Sequence, residues 1–239
     1  MHEPVVLTLS IVNHSADAAH VDLGRDRKEA ILVYITPPSK RKITYSWPRR
    51  EGLSRRGDFD VGSGEMYTQT YVLNEGYDFD ALGSYDIEAS LEKSILINGV
   101  AATRQSEAFR ASIEIADRNE QALRKRCDTI FIKANDPSSY ERAAEAAVAL
   151  SYVKDPVAVP YLQKLLAPNT LVEPIAISGL ERIATLEAVK ALGSILNARE
   201  ENTSVLARAA LLRMENESSD PDVRQEIRRV IKEAENSHS

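Results

Sequence analysis

Two periodicities divide this chain. Over residues 4–116 apolar and polar positions alternate in short runs, "VVLTLSIVN", "AILVYIT", "MYTQTYVL", "YDIEASL" and "AFRASIEI". A period of two belongs to a strand with one buried face, and turn-forming clusters separate the runs. In "MYTQTYVL", Tyr67, Gln69, Tyr71 and Leu73 alternate with Met66, Thr68, Thr70 and Val72. About five to eight such strands at this spacing predict an antiparallel β-sandwich.

Beyond residue 117 the period lengthens to that of a helix. "DRNEQALRKRCDTIFIKAND" (117–136) reads as one helix joining the halves, with Ala122, Leu123, Ile130 and Ile132 as its packing residues. It has none of the Gly/Ser or Pro-rich character of a loose linker. The stretch "RAAEAAVALSYVKDPVAVPYLQKLL" (142–166) then recurs. "AAVAL" at 146–150 returns as "AISGL" at 176–180 and "ARAAL" at 207–211, and "AVPYLQKLL" at 158–166 as "AVKALGSIL" at 188–196. "DPDVRQEIRRVI" at 220–231 echoes "DPVAVPYLQKLL" at 155–166. The chain therefore repeats with a period near 30.

Each repeat reads as two helices. Tyr140, Ala143, Ala144, Ala147 and Leu150 share one face of the first, where small side chains let neighbouring helices approach closely. Asp155 is placed to cap the second helix, with Pro156 at the first position, where a missing N–H costs nothing. Asp220 and Pro221 repeat the device, and Leu162, Leu165 and Leu166 form the buried stripe.

With its period and its Asp-Pro step, the 142–166 unit resembles a HEAT repeat of the short bacterial, phycobilisome-lyase-like type. The match extends over three repeats, about residues 138–236. The third, "LLRMENESSDPDVRQEIRRVIKEAEN", is far more charged, as a terminal repeat facing water should be. In the first half, "LGSYDI" at 82–87 is similar to the tyrosine corner of immunoglobulin-like domains. Tyr85 would be the residue whose hydroxyl ties back upstream, and Ile87 stands where antibodies carry a disulfide cysteine. "VGSGEMYTQTYVL" with "LGSYDIEASL" also resembles bacterial immunoglobulin-like modules, including the intracellular proteinase-inhibitor type. The expected organisation is an immunoglobulin-like antiparallel β-sandwich (1–116), a connecting helix (117–137) and an α-helical HEAT-like solenoid of three helix pairs (138–239). HEAT-like arrays bind other proteins, and the resemblance implies no more; nothing marks a bilin site.

Composition narrows the chemistry. A net charge of −6 gives no overall case for nucleic acid, and no run approaches the roughly 20 apolar residues that span a bilayer, so no membrane insertion is expected. The single cysteine, Cys127, allows no intrachain disulfide, and with four histidines makes no Cys/His zinc site. "MHEPVVLTLSIVN" enters the strand pattern directly. The expected compartment is cytoplasmic if Met1 is native, and periplasmic or secreted if a signal peptide has been removed. The pattern leaves the oligomeric state open.

Residues 37–57, "PPSKRKITYSWPRREGLSRRG", concentrate positive charge. Lys40, Arg41, Lys42, Arg49, Arg50, Arg55 and Arg56 face one acid, Glu51, with Tyr45 and Trp47 among them. Such a loop can hold an acidic peptide or phosphate with Arg stacked on an exposed aromatic; the alternative is a solvated loop with Trp47 tucked into the sandwich edge. The seven basic residues and Trp47 are the candidate partner-binding residues. Lys125 and Arg126 would lower the pKa of a reactive Cys127, but His2, His14, His20 and His238 come with no motif for a base, so a buried helical cysteine is expected. Asp78, Asp80, Asp86 and Glu75 would suit calcium, but without EF-hand spacing they read as turn residues. "GSGE" (62–65) is a turn before a strand, and Glu173, Glu181 and Glu187 are read as solvent-facing.

No phosphate-loop, dinucleotide, serine-hydrolase or zinc-protease motif is present. No catalytic residue, metal ligand or cofactor is therefore expected. The reading is a non-enzymatic protein–protein interaction or scaffold module, binding a peptide or protein partner through the HEAT-like groove with the basic 37–57 loop as a second contact. The alternatives are an enzyme accessory or lyase-like protein, or a proteinase-inhibitor-like sandwich.

Overall fold

The computed structural model of the chain describes residues 2–24, 27–48, 57–92, 95–101, 108–166, 172–197 and 201–236. Strands occupy the N-terminal part and helices the C-terminal part. The chain divides into two compact units, Val5–Arg118 and Asn119–Ser239, with His2–Pro4 grouped with the second.

The first unit contains β1 (Val6–Val12), β2 (Ala19–Asp22), β3 (Ile31–Thr36), β4 (Ile43–Thr44), β5 (Asp58–Val61), β6 (Met66–Val72), β7 (Gly83–Leu91), β8 (Leu96–Ile97), β9 (Val100–Ala101) and β10 (Phe109–Ile115). Among the described residues they form antiparallel sheets in the orders β10-β7-β3-β4, β5-β2-β8-β9 and β1-β6. Alternation does the sorting. On β3, Ile31, Val33 and Ile35 are buried and the residues between them half-exposed; on β7, Tyr85, Ile87 and Ala89 are buried. The register places Val33 opposite Ala89 and Ile35 opposite Ile87. A slip of β7 by one residue would drive Asp86 and Glu88 into the core.

The core these faces enclose is mostly aliphatic, with the rings of Tyr45, Tyr71, Phe79 and Tyr85 buried among Val21, Leu23, Leu73 and their neighbours. A buried phenol needs a partner for its oxygen. The Tyr85 hydroxyl accepts the backbone N–H of Ala81 at 3.1 Å, and the Tyr71 hydroxyl donates to the Arg27 carbonyl at 2.8 Å. The Lys28 ammonium pairs with Glu75, whose side chain is only 3% exposed.

The second unit contains α1 (Glu120–Ala134), α2 (Tyr140–Ser151), α3 (Val159–Leu165), α4 (Glu173–Ile183), α5 (Leu186–Gly193), α6 (Glu201–Glu217) and α7 (Pro221–Asn236). Short polar side chains start several of them. Asn119 accepts from Ala122 N–H at 3.0 Å, and Asp155 from Val157 N–H at 3.0 Å, where Pro156 opens a 3-10 turn leading into α3. Asp220 accepts from Asp222 N–H at 2.9 Å. Both Asp-Pro steps thus cap as the sequence predicts.

Contacts between helices run along two rows, α2–α4–α6 and α1–α3–α5–α7. On α2, Ala143, Ala147 and Leu150 are buried as expected, but Tyr140 is exposed and Ala144 half-exposed, while Ala146 and Ala149 are buried instead. The reason is that α2 packs on both α1 and α4, so its buried arc is wider and turned from the stripe read in isolation. On α1, Leu123, Cys127, Ile130 and Ala134 make one continuous stripe; Ala122 and Ile132 fall off it and are exposed. Gly179 marks the closest approach. A Cβ there would lie 2.9 Å from both the Ser151 Cα and a Leu162 methyl, so α4 meets α2 and α3 where only glycine fits. Among the described residues no helix is long and apolar enough to cross a membrane.

Candidate interaction site

The helices of the two rows differ in what they expose. On α3, α5 and α7 the exposed residues other than Pro160 and Pro221 are polar or charged, among them Gln163, Lys164, Lys190, Arg224, Arg228 and Lys232, whereas α1 of the same row exposes Ile132 (71%). On α6, Val205 (59% exposed), Leu206 (42%) and Leu212 (44%) stand in solvent. Val205 and Leu212 occupy the side of α6 opposite Ala207, Ala210, Leu211 and Met214, which are buried, and Leu206 flanks that buried side. Amphipathicity would put polar residues there, so the apolar side chains need another account than packing within this unit.

An open groove of about 450 Å³ lies between Ser178, Glu181 and Arg182 of α4 and Met214 and Glu217 of α6. Its charged groups are held in place. Arg182 donates to the Ser151 carbonyl (3.4 Å) and hydroxyl (3.3 Å) and to the Tyr152 hydroxyl (3.2 Å), with its guanidinium 4.1 Å from the Tyr152 ring centre. Arg213 grips Glu181 with two bonds, 2.5 and 2.9 Å. These hydrogen bonds raise the Arg213 pKa above its ordinary value. Tyr152, Arg182 and Arg213 occupy one column of the repeat, directly after Ser151, Glu181 and Leu212. Each arginine therefore reaches one repeat back, to the neighbouring column of its predecessor. Aligning the repeats exposes this column in the sequence, but only packing shows where each guanidinium points.

Other sequence-level candidates separate. Glu173 and Glu181 are half-buried and bonded rather than solvent-facing: Glu173 accepts from the buried Thr203 hydroxyl at 2.9 Å and Glu181 from Arg213, so two carboxylates of α4 tie it to α6. Glu187 is exposed. Burial, then the carboxylates of Asp128 and Asp155, pushes the Cys127 thiol up to about 11, which outweighs the pull of Arg124 and keeps it neutral. Burial and a 2.7 Å hydrogen bond donated to Asp128 push the Tyr161 hydroxyl up to about 12. Glu75 turns to Lys28, and Asp86 accepts from the Ser112 hydroxyl. Among the described residues no group of three or more His, Cys, Asp or Glu is placed to hold a metal ion.

Within the basic segment, Lys40 takes a left-handed backbone (φ 62°) in a turn closed on Pro37, and Arg41 is exposed. Lys42 lies 4.3 Å from the centre of the Tyr34 ring and 3.3 Å from a Glu88 oxygen. Trp47 packs inward, 4.5 Å from Tyr45 and 5.3 Å from Tyr71 between ring centres, with the Lys28 ammonium 5.7 Å away. An indole buries too much apolar area to be left in a solvated loop when a core edge is within reach. Lys40, Arg41 and Lys42 are thus displayed together and Trp47 is not among them. Arg49, Arg50, Arg55 and Arg56, with Glu51, lie outside the described residues.

Set against protein-family models the chain gives no match, and set against curated proteins it gives none either.

Proposed function

We propose that this protein is a non-enzymatic protein–protein interaction module. In this reading an immunoglobulin-like β-sandwich is joined to a short HEAT-like α-solenoid, and the solenoid receives a peptide or protein partner on the outward side of the α2–α4–α6 row. The observation that carries it is the exposed apolar side of α6, Val205, Leu206 and Leu212, against the charged side chains exposed on α7. A soluble chain leaves neighbouring large aliphatics in water chiefly where something docks on them.

The architecture supports the reading. The Tyr85–Ala81 bond has the form of a tyrosine corner, and the two-row helix packing with its arginine column has the form of stacked repeats. In the groove, Arg182 and Glu181 are each bonded to neighbouring side chains, Ser151 and Arg213, as structural side chains are rather than a reacting set. Apolar side chains of the partner rest on α6, and Lys40 and Arg41 add a second, electrostatic contact.

The test uses the full chain as bait in an extract of the source cells. It is compared with Val205→Glu/Leu212→Glu and with a variant carrying serine at the seven basic positions of 40–56, each checked for unchanged circular dichroism and melting. A partner retained by the parent and lost with the α6 variant is the expected result, with the serine variant weakening it further at low salt. Equal retention by parent and α6 variant overturns the assignment of the site, and retention of nothing by the parent overturns the interaction reading.

A further inference from the structure

The two ends of the four-stranded sheet are finished differently. At one end β4 is two residues long, preceded by Pro37, Pro38 and three basic residues and followed by Pro48. Prolines, positive charge and shortness are the ordinary means of keeping a sheet edge from pairing with another chain. At the other end β10 is seven residues, Phe109–Ile115, with no proline and no charge on its inward side; its two charges, Arg110 and Glu114, lie on the outward side. Among the described residues it pairs with β7 alone. Phe109 is 54% exposed, and the Arg110 side chain 77% exposed, in contact with Glu88 at 3.5 Å.

The sequence of this edge, Phe-Arg-Ala-Ser-Ile-Glu-Ile, complements itself. Reversed about Ser112, it places Arg110 opposite Glu114 and Glu114 opposite Arg110, with Phe109 facing Ile115 and Ala111 facing Ile113. All three polar residues, Arg110, Ser112 and Glu114, are exposed on one side. Directly opposed residues of an antiparallel pair share a side, so only registers centred on a residue keep the two sides apart. Centring on Ala111 or Ile113 sets a charge against Ser112 and loses both ion pairs. The register centred on Ser112 alone matches both. β1, also seven residues, has no charged side chain with which to choose a register.

We propose that β10 is a self-association edge, pairing antiparallel with β10 of a second copy about a two-fold axis through Ser112. The partner is another molecule of this chain, and the contact is isologous, as most homodimer contacts are. It joins the two four-stranded sheets into one continuous sheet through backbone hydrogen bonds, with register set by two Arg110–Glu114 pairs. A strand pair buries less surface than a standard interface, so the dimer is concentration-dependent rather than permanent.

Sedimentation equilibrium of the full chain tests this, with mass rising from 26.5 kDa toward twice that as concentration increases. Arg110→Glu and Glu114→Arg each hold the chain monomeric by setting like charges opposite one another, while the double swap R110E/E114R restores association. The two single variants mixed in equal amounts form a heterodimer, since one edge is wholly acidic and the other wholly basic. S112C, at the axis, cross-links to a disulfide dimer under mild oxidation, whereas S84C on β7 does not. A parent chain monomeric at every concentration overturns the proposal. So does a dimer indifferent to both single charge reversals, or one that S84C links as readily as S112C.

Discussion

The strand unit and the helical unit bury their apolar groups with opposite kinds of side chain. The first sets large rings, Tyr45, Tyr71, Phe79 and Tyr85, among its aliphatic side chains; the second relies on alanine and leucine, with Ala147, Ala158, Ala176, Ala188, Ala207 and Ala210 fully or nearly fully buried. Large rings fill space between sheets and bring hydroxyls that must be bonded, so that core depends on volume and on a few specific hydrogen bonds. Small side chains bring helix backbones together, so that core depends on the absence of bulk. One core should fail when atoms are removed and the other when they are added.

The largest effect follows from removal. Tyr85→Ala empties a fully buried site among Tyr77, Phe79 and Ile87 and should cost about 3–5 kcal/mol in urea unfolding. Tyr85→Phe keeps the ring and loses only the bond to Ala81, so about 1 kcal/mol is expected. Near-equal losses would mean that the hydroxyl, not ring volume, governs this core. Next comes the ion pair at its margin. Glu75→Gln leaves Lys28 facing a neutral amide at a site where the carboxylate is only 3% exposed, and should cost about 3 kcal/mol. Replacing both residues by apolar ones should recover much of that loss; no recovery would show that Glu75 acts through other neighbours.

The helical unit should respond to addition. Gly179→Ala sets a methyl 2.9 Å from the Ser151 backbone, which cannot swing aside as a side chain would, and should cost about 1–3 kcal/mol. On an ordinary helix the same change is favourable by up to about 1 kcal/mol, so even the sign of the unfolding shift is diagnostic.

What was legible in the sequence follows the same division. That strands come first and helices follow was readable from alternation and from the 3.6-residue period, because both are local. So were the caps, since Asp155 and Asp220 each bond a backbone N–H two residues ahead. The buried arc of α2 was not, because it depends on having α1 on one side and α4 on the other. The half-buried positions of Glu173 and Glu181 depend likewise on Thr203 and Arg213, 30 and 32 residues away. In the candidate site, the charge of the basic segment was readable but the inward turn of Trp47 was not, since it is decided by Tyr45 and Tyr71 across the fold. The apolar side of α6 was hidden by the charge of the repeat that contains it.

The smallest effect separates two repeats that look equivalent. Arg182 and Arg213 fill the same column and each reaches one repeat back, but Arg182 meets neutral groups, Ser151 and Tyr152, while Arg213 meets the carboxylate of Glu181. Both arginines are exposed residues, so Arg182→Gln and Arg213→Gln should each cost no more than about 1 kcal/mol. Salt distinguishes them. Raising ionic strength to about 1 M shortens the Debye length to roughly 3 Å and screens an exposed ion pair, but leaves stacking on a ring and bonds to a hydroxyl nearly untouched. The cost of Arg213→Gln should therefore shrink in high salt while that of Arg182→Gln holds. If both shrink together, Arg182 owes its contribution to charges elsewhere in the groove rather than to Tyr152, and the column is electrostatic in both repeats; if neither does, the Arg213–Glu181 pair contributes through geometry alone.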